Sequence, residues 1–223
     1  MDLDSLKGSI LFRGMTKEER RLCLEGLEAG ERQYRKGSIL FHAGDRTERM
    51  GLVLSGAVTI ENNDLWGGCT LLGHAGEGEY FAETYALLGE VMLVDVKAAR
   101  DSRILFLKVG DLLRSGPDQA WKRKLTENLL TISARKNLAL SERNFHTSSK
   151  SARGRLLSYL SAMALQKGSR EFDIPFDRQQ LADYLNLERT GMSKELGRMK
   201  REGLIEFRKN HFRLRGKGEP EEY

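Results

Sequence analysis

Hydrophobic and polar positions along the chain fall into three regimes. Near the start, Thr16-Lys17-Glu18-Glu19 has the spacing of a capping box, and Leu22 and Leu27 follow on a short predicted helix. From about Gly37 the pattern turns to short apolar runs broken by glycine and turn residues. Ser38–His42, Gly51–Ser55 and Ala57–Glu61 are predicted strands, separated by Gly44-Asp45 and Ser55-Gly56. Asn62-Asn63-Asp64 reads as a turn before a strand at Thr70–Gly73. Met92, Val94, Val96 and Ala98 alternate with Leu93, Asp95 and Lys97, the period of a half-buried strand, and Arg103–Leu107 is a last apolar run. Many short strands at near-regular spacing predict a small barrel or roll.

Glycine then becomes scarce. From Pro117 to Asn144 the chain reads as one long helix, with Leu125, Leu129, Ile132 and Ala139 as its apolar positions. A lone amphipathic helix of this length wants a partner. That partner is either the same helix of a second subunit or the chain's own roll, and Lys136 and Arg143 interrupt the seam. A third regime opens near Ser148, where Ser149 is placed to cap a helix carrying Leu156, Leu157, Tyr159 and Leu160, closed by Gly168. Phe172–Pro175 reads as a short extended piece.

The most informative stretch is 177–215. Asp177 with Gln180 forms a second capping box, and Leu181, Ala182 and Leu185 predict a helix of about two turns. Asn186-Leu187-Glu188 makes a tight turn into a second helix from Arg189 to Glu202. Met192, Leu196 and Met199 line one stripe of it, while Arg189, Thr190, Ser193, Lys194 and Gly197 occupy the opposite face. Short helix, tight turn and a helix with an apolar back and a hydrogen-bonding front is the arrangement that places side chains in a DNA major groove. Arg189 and Lys194 can donate to guanine N7 and O6, and Thr190 and Ser193 can donate or accept. Gly203 is predicted as a left-handed cap. Leu204–Arg208 and Phe212–Arg215 then form a hairpin around Lys209-Asn210-His211, whose Arg208, Lys209, Arg213 and Arg215 suit phosphate contacts.

Charge sharpens this division. Residues 1–116 carry 15 Lys and Arg against 18 Asp and Glu, while residues 117–223 carry 22 against 14. The basic excess lies in the half expected to meet a polyanion. A hydrophobic content of 39% and a charged content of 31% describe a globular protein. No run of about eighteen apolar residues is present and the first 25 residues are too charged for a signal peptide, so a cytoplasmic protein without a membrane span is expected. Cys23 and Cys69, without CxxC spacing, are expected to be reduced thiols. A cupin-type metalloenzyme would need an HxH pair, but the roll holds only His42 and His74, and Gly76-Glu77-Gly78 lacks the context of a phosphate loop. The chain is therefore expected not to be an enzyme.

The stretch Asp177-Arg178-Gln179-Gln180-Leu181-Ala182-Asp183-Tyr184-Leu185, with Arg189–Leu196 and Lys200–Ile205, resembles the CRP/FNR family of bacterial regulators. Lys36–Leu40, Ser55–Val58 and Gly78–Glu83 resemble the double-stranded β-roll of cyclic-nucleotide-binding domains. The resemblance implies an α+β architecture. A jelly-roll-like sensor would span residues 1–116, a dimerisation helix 117–147 and a winged helix-turn-helix 148–223. It implies a homodimer on double-stranded DNA with inverted repeats, a small effector, and RNA polymerase as a further partner. Arg178 joins Arg189, Thr190, Ser193, Lys194, Arg208 and Lys209 as an expected DNA contact. Glu188 departs from the pattern, since many relatives have serine at this turn position and a carboxylate there would repel a phosphate.

In cyclic-nucleotide-binding relatives an Arg-Ser pair clamps the phosphate about ten residues beyond a pocket glutamate. Here the glutamate corresponds to Glu83, and Met92-Leu93 stands where the clamp would be. Neither can pair with an anion, and burying that charge unpaired would cost several kcal/mol. By the same resemblance Leu140 and Ser141 face the effector. An iron–sulfur sensor would need more cysteines than Cys23 offers at the N-terminus, and Cys69 with His74 is a poor axial set for haem, so no cofactor is expected. What remains is a small, partly apolar effector bounded by Glu83, Met92, Leu93, Leu140 and Ser141, or a regulator that works without a ligand. Gly218–Tyr223 reads as an acidic exposed tail.

Overall fold

The structure, a computed structural model, describes residues 6, 8–63, 68–114, 116 and 118–215. Asp64, Pro117 and the tail from Gly218 to Tyr223, on which sequence expectations were placed, lie outside the described residues. The chain divides into two compact units between Ser133 and Ala134. None of the described helices is long and apolar enough to cross a membrane.

In the first unit, helix α1 (Lys17–Gly26) starts where its cap dictates. Thr16 Oγ1 accepts from Glu19 N at 3.2 Å, and Thr16 N donates to Glu19 Oε2 at 2.7 Å. Eight strands follow: β1 (Gly30–Tyr34), β2 (Ile39–Phe41), β3 (Arg49–Ser55), β4 (Ala57–Asn63), β5 (Cys69–Gly76), β6 (Tyr80–Phe81), β7 (Asp95–Ala98) and β8 (Ser102–Lys108). They form two four-stranded sheets, ordered β1-β8-β3-β6 and β2-β7-β4-β5, whose pairings are all antiparallel. Helix α2 (Glu83–Leu88) interrupts the strands behind Ala82, whose φ is 60°.

Two of these strands carry no periodic signal. β1 reads Gly-Glu-Arg-Gln-Tyr, an edge strand whose middle three residues are exposed, and β6 is only two residues long. The predicted strand from Met92 begins later, at Asp95, yet its alternation survives. Met92, Val94, Val96 and Ala98 are buried while Leu93 is 71% exposed. Between the sheets, Phe41, Phe81 and Phe106 meet edge to face at 5.7–6.4 Å. Gly51 makes room for this cluster: a Cβ there would lie 2.1 Å from Phe81 Cζ.

Helix α3 (Ala120–Thr147) corrects the expected dimer seam. Leu125, Leu129 and Ile132 are buried in the chain's own first core, with Trp121, Cys23, Leu24 and Leu107. Of the four expected seam residues only Ala139 is exposed. The physical reason is that α1 and the roll offer apolar surface to the first turns of α3, and burial there needs no second chain. The other flank of α3 stays open, with Leu130 69%, Leu138 60% and Phe145 66% exposed.

The second unit holds α4 (Ala152–Lys167), β9 (Glu171–Asp173), α5 (Arg178–Tyr184), α6 (Arg189–Arg201), β10 (Ile205–Arg208) and β11 (His211–Leu214). Ser151, not Ser149, caps α4, its side chain accepting from Gly154 N. The three-stranded sheet β10-β11-β9 takes up the piece expected only to be extended, with Phe172 opposite Phe212. Leu156, Leu160, Leu181, Leu185, Met192, Leu196, Met199 and Phe212 form one core, so α4, α5, α6 and the sheet fold around a common centre.

Candidate nucleic-acid interface

The site is built from α5 upward. Asp177 accepts from Gln180 N at 2.8 Å, and Asp177 N donates to the Gln180 side chain at 2.9 Å, which starts α5 at Arg178. It ends after seven residues on Asn186, which takes φ 51° while Leu187 N reaches back to the Ala182 carbonyl at 2.9 Å. Asparagine thus fills the left-handed position that glycine usually takes after a helix. Glu188 then caps α6. Its carboxylate accepts from Thr190 N at 2.7 Å and Gly191 N at 2.6 Å, and these backbone donors hold its pKa below the usual glutamate value. The residue that looked like a misplaced charge therefore satisfies the first amides of α6.

Along α6, Met192, Leu196 and Met199 are buried, while Thr190, Ser193 and Lys194 are exposed away from that stripe and Arg189 is exposed as the first residue of the helix. Arg189 makes no ion pair among the described residues, and Lys194 lies in the field of Glu188. Behind this face, Arg153 of α4 holds α6. Its Nε donates to Glu195 at 2.6 Å, and its Nη1 and Nη2 donate to Glu202 at 2.8 Å each. Gly203, at φ 70°, closes α6 as expected, with Leu204 N bonded to the Met199 carbonyl.

The hairpin β10–β11 turns at Lys209-Asn210, with Lys209 at φ 53°. Its four cations divide. Arg208 and Lys209 are exposed and pair with no acid among the described residues, whereas Arg215 is bound to Glu206 and Arg213 lies 4.0 Å from Glu171. His211 bridges the sheet, its Nδ1 3.0 Å from Asp173 and its Nε2 2.9 Å from Glu171, and these carboxylates raise its pKa above 6.5.

Arg178 stands apart from the other expected contacts. Its guanidinium lies 4.9 and 5.1 Å from the rings of Phe207 and Phe212, and Nη2 donates to the Lys209 carbonyl at 2.9 Å. It braces the hairpin against α5 from a half-buried position. Neither this role nor those of Glu188 and Arg153 is legible from spacing, because each depends on where a distant element arrives.

The expected effector residues do not converge within one unit. Glu83 and Met92 are buried in the roll, Met92 as part of the core with Val53, Val96 and Phe106, while Leu93 points to solvent. Leu140 and Ser141 are exposed on the part of α3 that belongs to the second unit. A cleft of about 630 Å³ in the first unit is lined instead by Ser9, Ile10, Glu31, Leu52, Glu79 and Arg103. Cys69 donates to the Glu61 carboxylate, and local desolvation followed by that carboxylate pushes its thiol up, the reverse of what a metal-binding thiolate needs. No cluster of three potential metal ligands occurs among the described residues.

Residues 31–115 match the cyclic nucleotide-binding domain family and residues 154–216 match the Crp-like helix-turn-helix domain family. The cyclic AMP receptor protein of Thermus thermophilus is 33% identical over 108 residues, 48% of this chain and 49% of that protein, so the match spans about half the length of that relative. The crystal structure of the Thermus thermophilus catabolite activator protein aligns over 93% of this chain and 94% of its own. Its sequence identity is 27% and its TM-score 0.50. CprK in complex with OCPA aligns over 86% of this chain and 90% of its own with a TM-score of 0.58; at 18% identity this is a likeness of fold alone.

Proposed function

From a chain that joins a cyclic nucleotide-binding domain to a Crp-like helix-turn-helix and is homologous to CRP/FNR family regulators, we propose a homodimeric transcription regulator that reads an inverted-repeat operator. The observation that carries this reading is the open face of α6. Thr190, Ser193 and Lys194 stand exposed over a fully buried apolar back with Arg189 exposed at the helix start, beside a hairpin tip whose Arg208 and Lys209 pair with no acid among the described residues. Two such helices enter successive major grooves about 34 Å apart, with base edges read by α6 and phosphates gripped by the hairpin.

The two-fold seam of this dimer is the open flank of α3. Leu130, Ala134, Leu138, Ser141 and Phe145 recur at intervals of four, four, three and four, a stripe of four apolar residues and one serine opposite the one buried against α1. Residues 1–116 serve as the sensor, 117–147 as the dimer helix and 148–223 as the DNA reader. The effector is a small molecule without a phosphate. Met92 is a core side chain and Leu93 faces solvent, so neither offers a cation to an anionic ligand. Glu83, buried in the first unit, remains its candidate polar contact. Binding shifts the balance between dimer conformations that fit the operator and ones that do not.

Fluorescence anisotropy tests the reading. Ligand-free protein is titrated onto DNA from upstream of its own gene and onto a scrambled duplex, across a salt series. Selective binding to the upstream duplex is expected, and Arg189→Ala should remove about 1–3 kcal/mol of that selectivity. Equal affinity for both duplexes at every salt concentration, with and without candidate effectors, would refute it. A dose-dependent rise in melting temperature with cyclic AMP or cyclic GMP would overturn the phosphate-free effector.

A further inference from the structure

We propose that Arg143, near the end of the long helix α3, is a positioning residue for the recognition helix α6, fastening α3 to the turn of the helix-turn-helix. Arg143 Nε donates to the Tyr184 carbonyl at 3.1 Å. Its Nη2 donates to the Asp183 carbonyl at 3.1 Å and to Asn186 Oδ1 at 3.0 Å, and its guanidinium lies 5.9 Å from the Tyr184 ring centre. Arg155 of α4 completes the set. Its Nη1 donates to the Leu185 carbonyl at 3.0 Å and the Asn186 carbonyl at 2.8 Å, while Nε holds the Ser149 carbonyl at 2.8 Å.

Together the two guanidiniums take four successive carbonyls, Asp183 to Asn186, at the end of α5. Asp183 and Tyr184 close α5, and Leu185 and Asn186 form the cap and turn beyond it, where carbonyls lack the amide partners that a continuing helix would supply. Cations there also oppose the negative end of the helix dipole. The same guanidinium holds the side chain of Asn186, the residue whose left-handed backbone starts the turn. Two residues later Glu188 caps α6, so the direction of α6 is fixed through Asn186. A displacement of the end of α3 is thereby delivered to the turn by rigid hydrogen bonds. Arg155 belongs to the DNA-reading unit's own α4. Arg143 alone of the pair comes from the helix that also packs into the sensor unit.

This inference rests on the DNA-reading role, and its test separates the two. An operator is first selected by the wild-type protein from a random duplex pool. Arg143→Met and Arg143→Lys are then measured on that operator and on a scrambled duplex, with a salt series. Amide hydrogen exchange is followed at Leu187, Thr190 and Gly191. In both variants the preference for operator over scrambled DNA should fall about tenfold, because methionine has no donor and the single ammonium of lysine lacks the planar fork that reaches these acceptors from Nε and Nη2. Scrambled-DNA affinity and salt slope should stay unchanged, and the three amides should exchange faster. Retained preference with unchanged exchange overturns the proposal. So does a shallower salt slope, which would make Arg143 a phosphate contact, or a parallel loss on both duplexes with a lower melting temperature, which would make it merely structural. If the wild-type protein selects no sequence, the DNA-reading role fails. The exchange at Leu187, Thr190 and Gly191 then still decides whether Arg143 holds the turn.

Discussion

Replacing Lys209 by glutamine gives a number that follows directly from the geometry. Lys209 sits at the hairpin tip at φ 53°, exposed and without an acidic partner among the described residues, so its side chain can be changed with no described contact depending on it. The contact it does make within the domain is through its carbonyl, which accepts from Arg178 and is kept by any side chain. If each hairpin of a dimer grips one phosphate through Lys209, the substitution removes two phosphate contacts. The slope of log affinity against log salt should then become shallower by about 1.8, since each contact contributes about 0.9 on duplex DNA. Between about 50 and 200 mM salt, wild type should lose about twelvefold more affinity than the variant. Anisotropy on operator and scrambled duplexes reads this directly, and the loss should be the same on both because phosphates carry no sequence. A change near 0.9 would mean that one protomer engages. An unchanged slope would refute the placement of the hairpin on the backbone.

Three further outcomes are expected. Gly51→Ala forces a methyl into the Phe81 ring, where a Cβ would lie 2.1–2.6 Å from three ring carbons, and should destabilise the first unit by about 1–3 kcal/mol. Calorimetry of this variant beside a Gly51→Ala/Phe81→Leu double checks that, since the double should recover part of the loss. His211 has its pKa raised by Glu171 and then Asp173, so the clamp it forms is complete below its ordinary 6.5 and is lost as pH rises through the raised value. The melting temperature of the wild-type second unit should accordingly fall over that window, and His211→Gln should flatten the dependence; a parallel fall in both proteins would contradict it. Leu138→Glu places a charge in the open stripe of α3 and should shift the dimer to monomer in analytical ultracentrifugation, with the melting of the roll unchanged. A variant that sediments as the wild type would displace the seam.

Much of this protein is written locally in its sequence. Both capping boxes, at Thr16 and Asp177, begin their helices where the spacing put them, because a cap is settled within four residues. The buried stripe Met192, Leu196, Met199 and the exposed face of α6 follow from the helical period alone, as does the inward alternation of Met92 through Ala98. Strand β1 was silent because an edge strand with exposed residues needs no apolar period; its place is set by pairing with β8. Which stripe of α3 meets which partner was equally beyond local reach. Periodicity reports that Leu125, Leu129 and Ile132 want burial, but only the arrival of α1 and the roll decides that they find it within the chain and leave Leu130, Leu138 and Phe145 outside. The same holds for Arg178 against two phenylalanine rings and for Arg143 and Arg155 on the end of α5. A guanidinium chooses its acceptors from whatever carbonyls and rings the fold brings near. Sequence thus determined the elements and their apolar faces, which depend on neighbours a few residues away, and tertiary structure decided the partners, which depend on neighbours tens of residues away.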